Sequence, residues 1–244
     1  RNRRWRPGGV PLYPGECVVT TTLVFLGLLM AGVVWWLVRQ TLNVKPWVGA
    51  GAEGVQDLGI ARPGATEGLA PVKVALGVFL AVATSLFALF LSAYDIRMEL
   101  SDWRPLQEPD LLWFNTALLV LGSVALQWGW NGAKKGAETQ RNRGLMAGGL
   151  FAMAFIVGQL VVWQELNSAG FSISANPANA FFYTLTAIHG LHLLGGLVAW
   201  LKTANRVWRG DDRARIDLGV ELCTVYWHYL LVVWLVLFGL LLST

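Results

Sequence analysis

The 244-residue chain is 55% hydrophobic and only 14% charged, and its mean hydropathy is +0.50. This composition excludes an ordinary soluble domain and predicts an integral membrane protein. The net charge of +4 does not indicate nucleic-acid binding, because the basic residues cluster in loops between apolar runs, as membrane orientation requires. The apolar runs do not alternate, which excludes a transmembrane β-barrel.

Six runs of about 20 residues carry almost no charge, and that is the length a helix needs to cross about 30 Å of hydrocarbon. We therefore predict an all-α integral membrane protein, a bundle of about six transmembrane helices. The predicted spans are residues 18–38, 72–94, 110–130, 145–163, 178–201 and 218–242. The predicted organisation is a basic N-terminal arm (1–17), a first transmembrane helix (18–38), a Gly/Pro-rich linker (39–71) and a five-helix membrane bundle (72–244).

Small residues within the spans predict positions where helices approach closely, because a missing side chain lets the neighbouring backbone come near. Asn176 before Pro177 predicts an N-cap and a first-turn proline, so we expect the fifth span to begin near Ala178. The predicted helix-packing residues are Ala81, Ser85, Ser92, Gly148, Gly158, Gly195 and Gly196.

The basic residues also predict orientation. The loop between the third and fourth spans carries Lys134 and Lys135, and the loop between the fifth and sixth carries Arg209 and Arg213. Both loops are therefore expected on the cytoplasmic side. With six spans the arginine-rich arm then falls outside, against the same rule.

The only three histidines, His189, His192 and His228, lie near the middle of the fifth and sixth spans. The two spans are antiparallel, so the three imidazoles could meet at similar depth. Glu221 is two turns before His228, about 10 Å along the helix, and so belongs to a second polar spot nearer the cytoplasm. Polar groups at mid-membrane depth normally face protein, water or a bound molecule, which makes this region a candidate site.

Three interpretations of these residues are open. Histidines at i,i+3 with a third on a facing helix could ligate a metal or haem, although no mid-membrane carboxylate or haem-attachment cysteine accompanies them. The residues could form a proton path or a lipid-headgroup site. The simplest alternative is that each neutral imidazole forms a hydrogen bond to a facing helix.

The runs from Asn179 to Gly196 and from Val220 to Trp234 resemble subunit III of haem-copper terminal oxidases, the cytochrome c oxidase subunit 3 family of bacterial type. The resemblance rests on His-Gly-Leu-His (189–192) and Tyr-Trp-His (226–228), with Glu221 between them. It extends more weakly over residues 73–242. Two positions depart from the family, because Ala83 and Leu231 stand where it commonly has carboxylates.

The resemblance implies a chain without catalytic residues, metal or redox cofactor of its own. It implies packing against oxidase subunits I and II in a hetero-oligomeric complex or respiratory supercomplex of the bacterial inner membrane, with haem and copper on the partner subunits. It also implies a bound structural phospholipid and support for proton uptake. The residues implied for a lipid- or proton-related polar cluster are His189, His192, Glu221, Trp227 and His228. An accessory subunit linked to a nitric oxide reductase, a haem-binding electron-transfer protein and a proton-coupled transporter are the alternatives.

Overall fold

The computed structural model describes Trp35, residues 69–100, Trp103 and residues 109–242. Five α-helices, each long and apolar enough to cross a membrane, occupy this part of the chain, which contains no β-strand. In chain order they are α1 (Leu69–Met98), α2 (Leu111–Lys135), α3 (Glu138–Ser168), α4 (Pro177–Arg209) and α5 (Arg213–Leu242). The predicted all-α membrane architecture is confirmed for these residues.

The prediction of about six transmembrane helices is one higher than the five in the described part of the chain. The remaining predicted span, residues 18–38, lies outside the described residues except for Trp35, which is helical. The predicted arm (1–17) and nearly all of the predicted linker (39–71) also lie outside them.

The helices are longer than the predicted spans. For example, α3 has 31 residues, about 46 Å of helix, whereas the prediction covered only residues 145–163. Hydropathy detects the portion that lies in hydrocarbon, and polar turns then continue the helix beyond it. The predicted bounds were therefore too narrow.

Local signals set the helix ends. The Asn176 side chain accepts a hydrogen bond from the Ala178 backbone N–H at 3.3 Å, and Pro177 is the first residue of α4, which confirms the predicted start. Gly136 and Gly210 follow α2 and α4 with φ of 75° and 69°, a left-handed conformation that glycine adopts without strain. The chain therefore turns sharply after both helices.

These turns place the α2–α3 and α4–α5 loops at one end of the bundle, because consecutive helices run in opposite directions. We call this the basic end; its charged residues include Lys134, Lys135 and Arg209. It is the end predicted to be cytoplasmic. The first residues of α1 lie at the same end.

Glycines bring α2 and α3 into backbone contact. A Cβ added to Gly144 would lie 2.7 Å from the carbonyl oxygen of Ala125, and a Cβ on Gly129 would lie 3.1 Å from the Cα of Gly144. No side chain separates the two helices at this crossing, so they pack as closely as small residues allow.

Helix α5 is the most buried element. In its most apolar stretch 56% of the residues are buried, against 33% in α1, and its Trp227 and Trp234 are almost fully enclosed. It contacts α1, α2 and α4. Helix α1 instead lies at the edge of the described bundle, where it contacts α4 and α5.

Candidate functional site

A cleft of about 470 Å³ opens between α1, α4 and α5. Its walls are largely apolar and include Phe79 from α1 with Tyr226 and Trp227 from α5. Two exposed cations of α4, Lys202 and Arg206, line the same cleft near the basic end. The cleft therefore combines an apolar interior with positive charge at one end.

An ion pair borders this cleft. Lys73 of α1 donates to Glu221 of α5 at 2.7 Å, and each side chain is 23% exposed. The neighbouring Val72 and Leu222 both line the cleft. The pair ties α1 to α5 near the basic end, as expected for a Glu221 that lies apart from the mid-membrane histidines.

The two glycines predicted for packing near the cleft have different surroundings. A Cβ on Gly196 would lie 2.6 Å from the Tyr226 ring, so this residue allows α4 and α5 to pack closely. Gly195 is exposed, and a Cβ there would meet nothing within 4 Å among the described residues. Both glycines line the cleft, but Gly196 alone lies at a tight helix contact.

His189 is fully buried in an aromatic surround. Its ring centroid lies 5.2 Å from that of Trp234, 5.9 Å from Phe155 and 6.5 Å from Phe87. Neither ring nitrogen has a hydrogen-bond partner among the described residues. A buried polar group without a hydrogen-bond partner costs about 1 to 3 kcal/mol. Among the described residues, the His189 imidazole makes aromatic ring contacts and no hydrogen bond.

His192 lies between this aromatic surround and the cleft. Its Nδ1 donates to the Ile188 carbonyl oxygen of the same helix at 2.8 Å. Its ring approaches Phe87 at 5.4 Å and Phe79 at 6.0 Å, and Phe79 is also a wall of the cleft. The Tyr226 hydroxyl donates to the His192 carbonyl oxygen at 2.9 Å, which joins α5 to α4 at this level.

His228 faces a different helix and a different cavity. Its Nε2 donates to Gln127 Oε1 at 2.9 Å, since an amide oxygen only accepts, and its Nδ1 therefore accepts from the Ser123 hydroxyl. All three residues line a groove of about 320 Å³ between α2 and α5. A hydrogen bond from the imidazole to a facing helix, one of the three interpretations, is observed for His228 but not for the rings of His189 or His192 among the described residues.

The structure thus separates the five residues of the predicted polar cluster. His189 lies in the aromatic surround, His192 beside it, Trp227 in the cleft wall, Glu221 at the cleft border and His228 in the α2–α5 groove. Sequence spacing indicates depth along a helix correctly, but the facing direction of each side chain also depends on the neighbouring helices. Among the described residues, no group of three or more His, Cys, Asp or Glu side chains is placed to hold a metal ion.

The small residues predicted for packing on α1 are not buried among the described residues. Ser85 and Ser92 are exposed and Ala81 is half-buried. The residues that α1 buries are both small and large: Gly77, Leu80, Ala83, Thr84, Phe87, Leu91 and Tyr94. The bulky side chains on this buried face of α1 are Leu80, Phe87, Leu91 and Tyr94.

The two predicted glycines of α3 do lie at helix contacts. Gly148 is buried, and a Cβ there would overlap the Leu126 side chain of α2. A Cβ on Gly158 would overlap the amide oxygen of Asn115, so that oxygen lies directly over the α3 backbone. The Asn115 amide nitrogen donates to Gln159 Oε1 at 3.4 Å.

Sequence reasoning missed the polar contacts that join distant helices. Thr84 and Tyr229 share a hydrogen bond of 3.1 Å between α1 and α5, and Trp234 Nε1 donates to Thr116 Oγ1 at 2.9 Å between α5 and α2. The contact between Lys73 and Glu221 did have a signal in the sequence, because a lone cation and a lone anion at similar depth in two spans indicate an ion pair.

Comparison with known proteins identifies the family. The profile of the family described as Cytochrome c oxidase subunit III matches residues 64–242, well over half of the chain. The matched segment covers all five helices.

Three curated relatives show similar identity. The chain is 32% identical over 124 residues to the "Probable cytochrome c oxidase subunit 3" of Nocardia farcinica, which covers 51% of this chain and 61% of that protein. It is 29% identical over 123 residues to the protein of the same name from Mycobacterium bovis, with 50% and 61% covered. It is also 29% identical over 123 residues to the "Cytochrome bo(3) ubiquinol oxidase subunit 3" of Pseudomonas aeruginosa, with 50% and 59% covered. The chain thus matches about three fifths of the length of these relatives.

Proposed function

Because the chain belongs to the cytochrome c oxidase subunit III family, we propose that it is a non-catalytic accessory subunit of a respiratory haem-copper oxidase in a bacterial plasma membrane. The complex reduces oxygen to water with electrons from cytochrome c or quinol and pumps protons, and its haem and copper are held by partner subunits. The observation that carries the proposal is the family match over all five helices. Relatives named for cytochrome c and for ubiquinol oxidases support both classes of electron donor.

The proposed role of the chain is to stabilise catalytic subunit I, to hold a phospholipid and thereby to support proton uptake. The cleft supports the lipid part of this role. Its apolar walls suit acyl chains, and Lys202 and Arg206 near the basic end suit an anionic headgroup. Ala83 and Leu231 are not titratable, so the support for proton uptake is structural at those two positions.

The double variant Lys202→Gln/Arg206→Gln should bind phospholipid about 30-fold more weakly, because each cation near an anionic headgroup contributes about 1 kcal/mol. Native mass spectrometry of the complex in mild detergent measures the retained lipid. The matched control is Lys135→Gln/Arg143→Gln, which removes two exposed cations from the α2–α3 region of the same end. Equal lipid retention in both double variants would contradict the proposed site.

Glu221→Gln should leave the initial oxidase rate nearly intact. It should instead reduce the number of turnovers before inactivation or the amount of bound lipid. The reason is that the neutral amide weakens the tie between α1 and α5 that borders the cleft. Oxygen consumption followed to inactivation measures the initial rate and the number of turnovers, and native mass spectrometry measures the bound lipid. Lys73→Met should behave alike, since it removes the other partner, and unchanged lifetime and lipid in both variants would contradict the prediction.

The proposed function itself is tested by purifying the chain from its native membrane in mild detergent. We expect haem-bearing oxidase subunits to co-purify and to give haem spectra, while the chain expressed alone gives none. A Soret band that stays with the isolated chain and is lost in His189→Ala would instead show a haem-binding electron-transfer protein. Co-purification with a nitric oxide reductase, or proton-coupled transport by the chain alone in liposomes, would also overturn the proposal.

A further inference from the structure

Helix α1 packs on the described bundle along only part of its length. From Gly77 onward its buried residues recur about every three or four positions and form a seam against α4 and α5. At the five positions before Leu76, every residue except Lys73 is exposed among the described residues. We call residues 71–75 the α1 N-terminal segment. This segment therefore lies outside the packed seam.

The cleft takes the place of the seam at this end of α1. The α1 residues that line it follow the i, i+3, i+4, i+7 spacing of one helical face: Val72, Ala75, Leu76 and Phe79. The facing walls belong to α4 and α5 and include Leu222. The α1 N-terminal segment is thus one wall of the cleft, and the cleft volume of about 470 Å³ separates it from the other two helices.

The ion pair of Lys73 and Glu221, at 2.7 Å, is the one polar contact that joins this segment to the rest of the described bundle. Lys73 is about 6 Å from the start of α1, and Glu221 is about 12 Å from the start of α5. Both charges therefore lie near the basic end, where water and lipid headgroups solvate them when they are unpaired. The contact can open without leaving a charge in hydrocarbon.

A polar contact farther along α1 lacks this freedom. Thr84 and Tyr229 share a hydrogen bond of 3.1 Å, about 22 Å from the start of α1, and both side chains are buried. The Thr84 hydroxyl already donates to the Leu80 carbonyl oxygen, so the Tyr229 hydroxyl donates to Thr84. Acyl chains cannot replace that acceptor, and separation would leave the Tyr229 donor unpaired. Helix α1 is therefore fixed at Thr84 and less firmly held at its N-terminal segment.

We propose that the α1 N-terminal segment is a gate to the cleft, and that the ion pair of Lys73 and Glu221 holds this gate closed. Opening moves residues 71–75 away from α5 while the seam from Gly77 onward stays packed. The open gate admits the acyl chain of a membrane lipid from the side. The inference rests on the proposed function for the nature of this ligand, whereas the motion of α1 requires no other subunit.

The test measures the width of the cleft in the full chain, in its native membrane, with the substitutions Val72→Cys and Leu222→Cys. Both positions line the cleft, and Cys223→Ser removes the neighbouring native thiol. Bifunctional thiol reagents of graded length bridge the two positions, and mass spectrometry identifies the bridged peptides. We expect the shortest reagents to bridge them while the ion pair is intact. Lys73→Met should lower that yield about fivefold, the shift that a partly exposed ion pair supports, and should raise the yield of longer reagents.

Two further variants distinguish a gate held by the ion pair from a general loss of packing. Lys73→Glu alone should shift the bridging to longer reagents, and the charge swap Lys73→Glu/Glu221→Lys should restore the short bridge. Thr84→Val removes the polar contact within the seam and should leave the short bridge unchanged. Unchanged bridging in Lys73→Met, no restoration by the swap, or a shift in Thr84→Val would overturn the inference. The expected shifts in a complex that retains no lipid would uphold the gate and overturn the lipid role in the proposed function.

Discussion

Gly144→Ala should destabilise the protein by about 2 to 3 kcal/mol, because the added methyl group has no space at the crossing of α2 and α3. Its Cβ would lie 2.7 Å from the Ala125 carbonyl oxygen and closer still to the backbone of Gly129. Backbone atoms of two packed helices cannot move aside as a flexible side chain can, so the helices must separate. Thermal or detergent-induced unfolding, followed by tryptophan fluorescence, measures the loss.

The matched control for this substitution is Gly190→Ala. Gly190 is also helical, but a Cβ there would meet nothing within 4 Å among the described residues. The same chemical change should therefore be neutral or stabilise by about 0.5 to 1 kcal/mol, since alanine is the better helix former. Equal losses in the two variants would show that the contact at Gly144 does not limit stability.

Asp217→Asn should cost about 3 kcal/mol of unfolding free energy, because it leaves the buried cation of Arg141 without a carboxylate. Arg141 Nη1 donates to Asp217 Oδ1 at 3.0 Å, and the Arg141 side chain is only 5% exposed. The pair connects the start of α3 to the start of α5 at the basic end. The same unfolding measurement tests it.

Arg213→Gln separates this effect from simple loss of surface charge. Arg213 also pairs with Asp217, at 3.6 Å, but its side chain is 53% exposed, so its removal should cost less than about 0.5 kcal/mol. The double variant Arg141→Met/Asp217→Leu should recover most of the stability, because no buried charge is then left unpaired. A large loss in Arg213→Gln, or none in Asp217→Asn, would contradict this account.

Hydropathy was sufficient to predict the five described helices, because a membrane imposes one solution on an apolar run of this length. The start of α4 was also predictable, since Asn176 and Pro177 act locally. Helix ends that extend beyond the hydrocarbon, such as the first turns of α3, were not. Polar residues there carry no signal of membrane depth.

The candidate site was predictable by depth but not by direction. His189 and His228 lie at mid-helix as expected, yet one faces aromatic rings and the other faces Ser123 and Gln127. The predicted small face of α1 has no described helix against Ser85 or Ser92, because a small residue permits close packing without requiring it. Which face of a helix is covered depends on contacts with distant parts of the chain, and Thr84 and Tyr229, which share a hydrogen bond, are 145 residues apart.

The ion pair between Lys73 and Glu221 has a consequence for biosynthesis. The two residues are 148 positions apart, so at about 5 to 20 residues per second the ribosome makes the second about 7 to 30 s after the first. During that interval α1 has left the ribosome while α4 and α5, the helices it contacts, are still being made. Lys73 must meanwhile extend its ammonium group toward the headgroup layer, as long cationic side chains do near helix ends. Among the described helices, the edge helix α1 is therefore the first to be synthesised, and it meets the two helices that it contacts only after both have been made.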